Sequence, residues 1–518
     1  MLRNVAAPWR AVSHFALGFR FSDMGKRCAW PRLVSILALA GAAFAQARPE
    51  NHRGPYLNLS KARSVTTRYH RAFSSGQARA LSTAKADFDE DGMPDLAAGF
   101  ATPEGGSVVI HRGNVDALWP YGPLRGTEPP AFLPDARVFP LPEAPDFLAA
   151  GDFDADGHWD IAAAHAGSSA LYFLKGDGHG GFAEARRIAL PGKVTAMTSG
   201  EIDRPDGLTE LIVAVSGDSG PQVLVFESPD GALRGTPEAF DLPADAAALA
   251  VIPMDGGIMN GIAVGAGHDL VLIHPRDRKL TRSKADRDSI PAAAVTRQTF
   301  PFALRSLAAG HFTSPSADLA ALGDDGRIHI LERSDASEPI RHRKGPLPKT
   351  AAMNLRMSID LPSSGAKLVT ARVAATGRDS LIVLDPQGRK LHVVSHRDHR
   401  AATSLAVTAS LDVPGAPAAL EPMRINKDAL HDLVVLSDSQ AEPLVFTTAA
   451  DHIAVVTNTY DNGQGSLRWA IGDASNAVAV EQETAEVDFD IPLTDPNRDP
   501  TTGVFTIQPV APGSPDSY

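Results

Sequence analysis

In the stretch Gly151-Asp152-Phe153-Asp154-Ala155-Asp156-Gly157-His158-Trp159-Asp160, carboxylates occupy loop positions 1, 3, 5 and 9, and glycine occupies position 6. In a tight loop, alternate short acidic side chains turn toward one point. The backbone carbonyl at position 7, here that of His158, can add a further oxygen. A hard divalent cation takes such an all-oxygen cage, and Ca2+ is its usual occupant. Glycine at position 6 permits the positive φ of a sharp loop. A near copy lies upstream, with Asp87, Asp89, Asp91, Gly92, Met93 and Asp95 at the matching places. Weaker copies offer Glu201, Asp203, Asp206 and Glu210, with one extra residue, and Asn426, Asp428 and Asp432.

An EF-hand shares this opening but places a bidentate Glu at position 12 and runs on into a helix. Position 12 is Ala98 in one loop and Ala163 in the other, and a β-like apolar run follows each. The EF-hand reading therefore fails, and the Asp at position 9 closes the cage. The predicted role is structural: a cation relieves the repulsion of crowded carboxylates and lets the loop align the strand that follows.

The elements that position these loops recur. Each unit reads as an acidic loop, a short apolar strand, a turn and a second apolar strand. Unit one has Leu96-Ala98 and Ser107-Ile110, and unit two has Ile161-Ala164 and Leu171-Leu174 followed by the glycine-rich turn Gly176-Phe182. Unit three has Leu211-Val215 and Val223-Phe226. Fainter copies fall at Met254-Gly267, Ala309-Leu331, Leu368-Val394 and Met423-Leu436. About seven units at a period of roughly 50 residues lie in the range of propellers. A four-stranded unit cannot bury both faces alone, and radial packing of blades does so. The predicted fold is all-β, a seven-bladed β-propeller over residues 76–448. Eight blades stay open if residues 280–300 or 340–365 hold another unit, and a linear solenoid is the other architecture.

The pattern D-x-D-x-D-G-x-x-D-[IL]-A, followed by a strand and a Gly-rich turn ending in phenylalanine, resembles the FG-GAP or VCBS repeat. Such repeats build the propellers of integrin α-subunits and of many secreted bacterial proteins. The resemblance implies one structural calcium per well-formed blade. Copies one and two match at every acidic position, copy three is offset, copy seven is partial, and copies four to six lack the cage.

Two fragments imitate a serine protease: Ala162-Ala163-Ala164-His165-Ala166 and Gly217-Asp218-Ser219-Gly220-Pro221. Both fall just after the first strand of successive units, where Gly, Ser and Asp make turns. No triad is expected from them. The sequence holds no H-E-x-x-H, P-loop or Rossmann fingerprint. No catalytic residue is assigned, and the chain is read as a non-enzyme.

Residues 24–45 have the layout of a signal peptide: Lys26, Arg27 and Arg32, then the apolar run Leu33-Ala40, then Ala43-Phe44-Ala45. Cleavage is predicted after Ala45. Residues 1–23 read as an upstream extension ahead of a true start at Met24, and residues 46–75 as a leader without structure. The apolar run is short for a membrane span, so no stable span is expected after cleavage. The lone Cys28 would leave with the signal, which excludes disulfides and C-x-x-C chemistry. A net charge of -12 argues against a nucleic-acid partner.

Composition shifts at about residue 449. The stretch Val455-Val456-Thr457-Asn458-Thr459-Tyr460-Asp461-Asn462-Gly463-Gln464-Gly465-Ser466-Leu467-Arg468-Trp469-Ala470-Ile471 predicts a strand, a turn and a helix capped by Ser466. Residues 449–518 resemble the N-terminal cap of right-handed parallel β-helices in bacterial surface proteins, and are expected to be the start of such a domain, cut short at Tyr518.

Together these readings predict a secreted, cell-surface or periplasmic binding or adhesion module, stabilised by Ca2+, with an extracellular glycan or a surface protein as partner. The alternative is a polysaccharide lyase or hydrolase with its site in the propeller channel or on a missing β-helix. Oligomeric state is left open.

Overall fold

The computed structural model describes residues 63–64, 78–118, 129–203, 207–254, 259–276, 285, 289–313, 317–333, 352–374, 378–396, 405–426, 430–438, 440–448, 452–477 and 485–508. The expected signal segment lies outside them. Among the described residues, no helix is long and apolar enough to cross a membrane.

Seven four-stranded antiparallel sheets follow one another along the chain. Blades one to six span residues 79–141, 147–189, 192–241, 246–299, 304–360 and 367–412, each a simple meander. Blade seven takes three strands from residues 417–446, and its outer strand is Arg63–Ser64. Arg63 pairs with Val445 and Ser64 with Leu444. Two residues of the segment expected to lack structure thus form a strand, because a three-stranded last blade leaves an edge open to pairing.

The second strand of each blade carries a continuous apolar run buried on both faces, as in Ile161 to Ala164 and Leu319 to Leu322. Outer strands such as Val295–Thr299 alternate instead, since one of their faces meets water. First strands of successive blades lie side by side, and that of blade seven lies beside that of blade one. Seven apolar clusters fill the spaces between neighbouring sheets. One holds Phe88 and Ile110 of blade one with Ile161 and Tyr172 of blade two. Another joins Leu96 and Val109 of blade one to Val434 and Leu436 of blade seven, which closes the ring. The others bridge the remaining pairs.

The chain is a seven-bladed β-propeller. Closure excludes the linear solenoid. Among the described residues of 280–300 and 340–365 there is no eighth blade: Val295–Thr299 and Met353–Asp360 are the outer strands of blades four and five.

After the ring, His452–Val456 pairs in parallel with Ala485–Phe489, and the helix Leu467–Asn476 lies between them in sequence. Ser466 caps that helix as expected, its hydroxyl accepting from the Trp469 amide at 3.2 Å. A small core of Ala454, Val456, Ala470 and Ala474 holds the three elements together.

Candidate metal centre

Both full acidic loops connect the first and second strands of their blade, so they emerge on the same rim of the ring. Their backbone geometry repeats. Glu90 and Ala155 at position 4 take φ of 57° and 54°, and Gly92 and Gly157 take 91° and 90°. A side chain at these two glycines would meet no steric obstacle but would be strained by the φ.

The hydrogen bonds repeat too. At position 1, Asp87 accepts from the amides of Asp91 (3.0 Å) and Gly92 (2.9 Å), and Asp152 from those of Asp156 (3.1 Å) and Gly157 (2.9 Å). At position 5, Asp91 accepts from the Met93 amide and Asp156 from the His158 amide. Position 9 is the first residue of the second strand and is fully buried in both loops. Asp95 accepts from the Phe88 amide at 2.9 Å and the Gly113 amide at 2.7 Å. Asp160 accepts from Phe153 and Gly176, each at 2.9 Å. The ninth carboxylate therefore ties the loop entry to the exit of the third strand.

The loop-entry half of this tie is kept in three blades where the cage is degenerate, and blade seven keeps both halves. Glu210 accepts from the Ile202 amide, Asp318 from the Thr313 amide and hydroxyl, and Asp432 from the amides of Ile425 and Thr448. Position 9 is primarily a backbone anchor, which accounts for its survival in blades that have lost the other acids.

Asp87, Asp89 and Asp95 bring one oxygen each within 4.8 Å of one another, and so do Asp152, Asp154 and Asp156. Asp91 and Asp160 stand outside these two groups. The Met93 side chain is buried, while the His158 ring reaches across to Glu90 in the neighbouring loop, Nδ1 to Oε1 2.6 Å. That hydrogen bond raises the His158 pKa. In the third loop, Glu201 accepts from the Gly207 amide and Asp203 from the Arg276 amide, and no cluster forms among its described residues. In the seventh, the Asn426 amide group donates to Asp432 (3.0 Å) and to the Thr448 carbonyl (2.7 Å). Asp206 and Asp428 lie outside the described residues.

Electrostatics test whether a cation fits. Burial, opposed by the Gly113 amide and reinforced by the Asp89 charge, pushes Asp95 up to about 7. Burial, against the Gly176 amide and with the Asp154 charge, does the same to Asp160. Asp89 Oδ1 and Asp154 Oδ1, both at position 3, are buried with no hydrogen-bond partner. A buried carboxylate oxygen without a donor is costly, and hard oxygen donors suit Ca2+. The residues present fit that ion.

Three basic residues border the loops and were not singled out by sequence reasoning. Arg112 Nη1 lies 3.5 Å from Asp89; Lys175 Nζ lies 2.6 Å from Asp154 and 2.5 Å from Asp156; Arg234 of blade three lies 3.1 Å from Asp154. The available signal was register: Arg112 and Lys175 each precede the glycine that donates to position 9.

Each loop is also covered by the next blade. The Gly180 amide donates to the Phe88 carbonyl at 2.8 Å, and Phe182 packs edge-on against Phe88 and Phe139. The Leu233 amide donates to the Phe153 carbonyl at 2.9 Å. The phenylalanine of the glycine-rich turn thus packs between blades. The second protease-like fragment is a turn, as expected: Asp218-Ser219 is the two-residue hairpin between paired Gly217 and Gly220. The first is mostly strand, since Ala162, Ala163 and Ala164 end the second strand of blade two and only His165 and Ala166 lead into the turn, where the His165 ring meets Asp146 at 2.5 Å.

No protein family matches the chain, and no curated protein matches it in sequence. Solved structures match it in fold. A chain of the humanized mutant of the Chaetomium thermophilum Polycomb Repressive Complex 2 bound to the inhibitor GSK126 aligns at TM-score 0.50 and 10% identity, over 75% of this chain and 98% of that one. BBS1N, in complex with ARL6DN and soaked with mercury, aligns at 0.48 and 13%, over 77% and 98%. The Myceliophteria thermophila Cps50 (Swd1) β-propeller domain aligns at 0.46 and 10%, over 75% and 100%. At such identities the likeness concerns the fold alone.

Proposed function

We propose that the chain is an exported propeller of FG-GAP/VCBS-like repeats, held by structural calcium and used as a binding or adhesion module. The observation that carries the calcium reading is that two adjacent loops of the same spacing each cluster three carboxylates, at positions 1, 3 and 9 in the first and 1, 3 and 5 in the second, and each keep a buried, partnerless oxygen at position 3. Asp87, Asp89 and Asp95 would hold one ion, and Asp152, Asp154 and Asp156 a second. A bound cation supplies positive charge where the carboxylates crowd. The chain's own part is to fix the loop through the position 9 anchor and so set the second strand in register.

Calcium of this kind belongs to calcium-rich space outside the cytoplasm, in keeping with the signal-like segment 24–45. Propellers present loops around a central channel, and ligands meet those loops. An extracellular glycan or a surface protein is the proposed partner. Use in a protein assembly has a parallel in the fold relative from Polycomb Repressive Complex 2. We further propose that residues 449–518 begin a parallel β-helix, a reading supported by the parallel pairing around one helix.

Calorimetric titration of the chelator-stripped protein with calcium tests the metal; absence of binding at millimolar calcium would refute it. N-terminal sequencing of the exported protein should find Gln46 first. On a glycan array followed by reducing-sugar assays, binding without turnover is expected. Turnover would instead support the lyase or hydrolase.

A further inference from the structure

The two acidic loops share spacing, φ values and backbone hydrogen bonds, yet their charges are balanced differently. The difference begins at the residue before the glycine that donates to position 9. In blade one this is Arg112, whose guanidinium stands 3.5 Å from Asp89, beyond the usual length of a charge-assisted hydrogen bond. In blade two it is Lys175, whose ammonium touches Asp154 at 2.6 Å and Asp156 at 2.5 Å. Arg234 reaches the same Asp154 oxygen from blade three.

Resting on the calcium reading above, we infer that Lys175 is a tethered cation that competes with calcium for the second loop, so that the first loop fills at a lower calcium concentration than the second. Lys175 touches two of the three carboxylates clustered there. Its ammonium leaves Asp154 Oδ1 buried and without a donor, so the loop is neutralised but its oxygens are not all satisfied. A lysine head on a flexible four-carbon stem can leave for water, and the Lys175 side chain is 42% exposed. Displacement is therefore open, at the expense of two ion pairs.

Position 5 registers the same asymmetry. Burial raises Asp91, with the Asp89 and Asp87 charges adding to it against the Met93 amide. Burial also works against the Asp156 carboxylate, but the Lys175 hydrogen bond and charge, with the His158 amide, outweigh it and hold the group below its ordinary value.

The test is calcium titration calorimetry on the full chain, comparing wild type with Lys175→Gln and Asp156→Asn. Wild type should show a tighter and a weaker phase. Asp156→Asn should remove the weaker one, assigning it to blade two. Lys175→Gln should tighten that phase about tenfold, the effect of roughly 1.4 kcal/mol, and leave the tighter phase within about twofold. If calcium binds and the weaker phase ignores Lys175→Gln, or if Asp156→Asn removes the tighter phase, the competition is wrong and the calcium reading stands. If neither wild type nor Lys175→Gln binds calcium, the calcium reading falls and the competition falls with it. Circular dichroism of each variant shows whether it is folded, and the exposed Lys175→Gln carries the decisive comparison.

Discussion

His392 Nδ1 lies 2.8 Å from Ser410 Oγ, the residue directly opposite it on the outer strand of blade six. Its Nε2 faces Ser363 Oγ at 2.9 Å and Asp385 at 3.4 Å. In blade five, His329 meets Ser358 at 2.9 Å and Asp325 at 3.1 Å. Both rings are buried. Blades five and six, which lack the acidic cage, carry a histidine network that crosses the sheet from turn to outer strand. Deleting its centre strands several polar groups at once. His392→Ala should therefore cost about 2–4 kcal/mol in denaturant unfolding. A loss no larger than that of the exposed Ser364→Ala would show that the network contributes little.

Anchor and cage predict different mutants. Both oxygens of Asp160 accept backbone amides, and an asparagine can offer only one acceptor. Asp160→Asn should destabilise the fold by about 2 kcal/mol whether or not calcium is present. Asp156→Asn should shift stability in chelator by only about 0.5 kcal/mol, yet weaken calcium binding. Equal behaviour of the two variants would erase the distinction.

Without metal, Asp95 and Asp160 titrate near 7 in the folded chain, against about 3.9 when unfolded. The folded state holds these protons more tightly. Their contribution to stability is complete below about pH 4 and is lost as pH rises through about 7. Calcium favours the carboxylates and should cancel that loss. The gap between melting temperatures in calcium and in chelator is expected to widen from about pH 5 to about pH 8. Burial lowers the His111 pKa to about 3, so that side chain weakens the fold below about pH 6.5. It does so in both conditions and drops out of the comparison. A gap that narrows with rising pH would contradict the cation's role.

Closure by Arg63–Ser64 gives a fourth expectation. Removing residues 1–70 leaves blade seven with three strands and an open edge. Limited proteolysis should then cut first within residues 417–446. Unchanged resistance there would mean that the outer strand is dispensable.

The blade repeat was legible because second strands buried on both faces must be continuously apolar, as Leu211 to Val215 are. Outer strands escaped for the opposite reason. Val295–Thr299 is half exposed and its polar sequence resembles a loop, which kept an eighth blade open. Arg63–Ser64 is too short to carry a pattern: it is two residues long and pairs with Val445 and Leu444. Within the metal loops, the acids and glycines showed in their spacing, and the cluster membership of Asp89 and Asp154 followed. Lys175 and Arg234 did not show, because they approach from a different strand and a different blade. The anchor role of Asp95 and Asp160 was hidden behind their acidity. Only the amides of Gly113 and Gly176, far along the chain, reveal it.

Gly180 lies over the first acidic loop and Leu233 over the second, each from the blade that follows. The same sense continues where the His431 amide of blade seven meets the Arg372 carbonyl of blade six. At these three junctions the ring is shingled, each course lapping the one before it. A shingled roof has a direction: a course lifts only after the one above it has moved. Loosening at blade three would free the second loop, and loosening at blade two the first. Disturbance should travel backward along the chain, against the order in which the blades are synthesised.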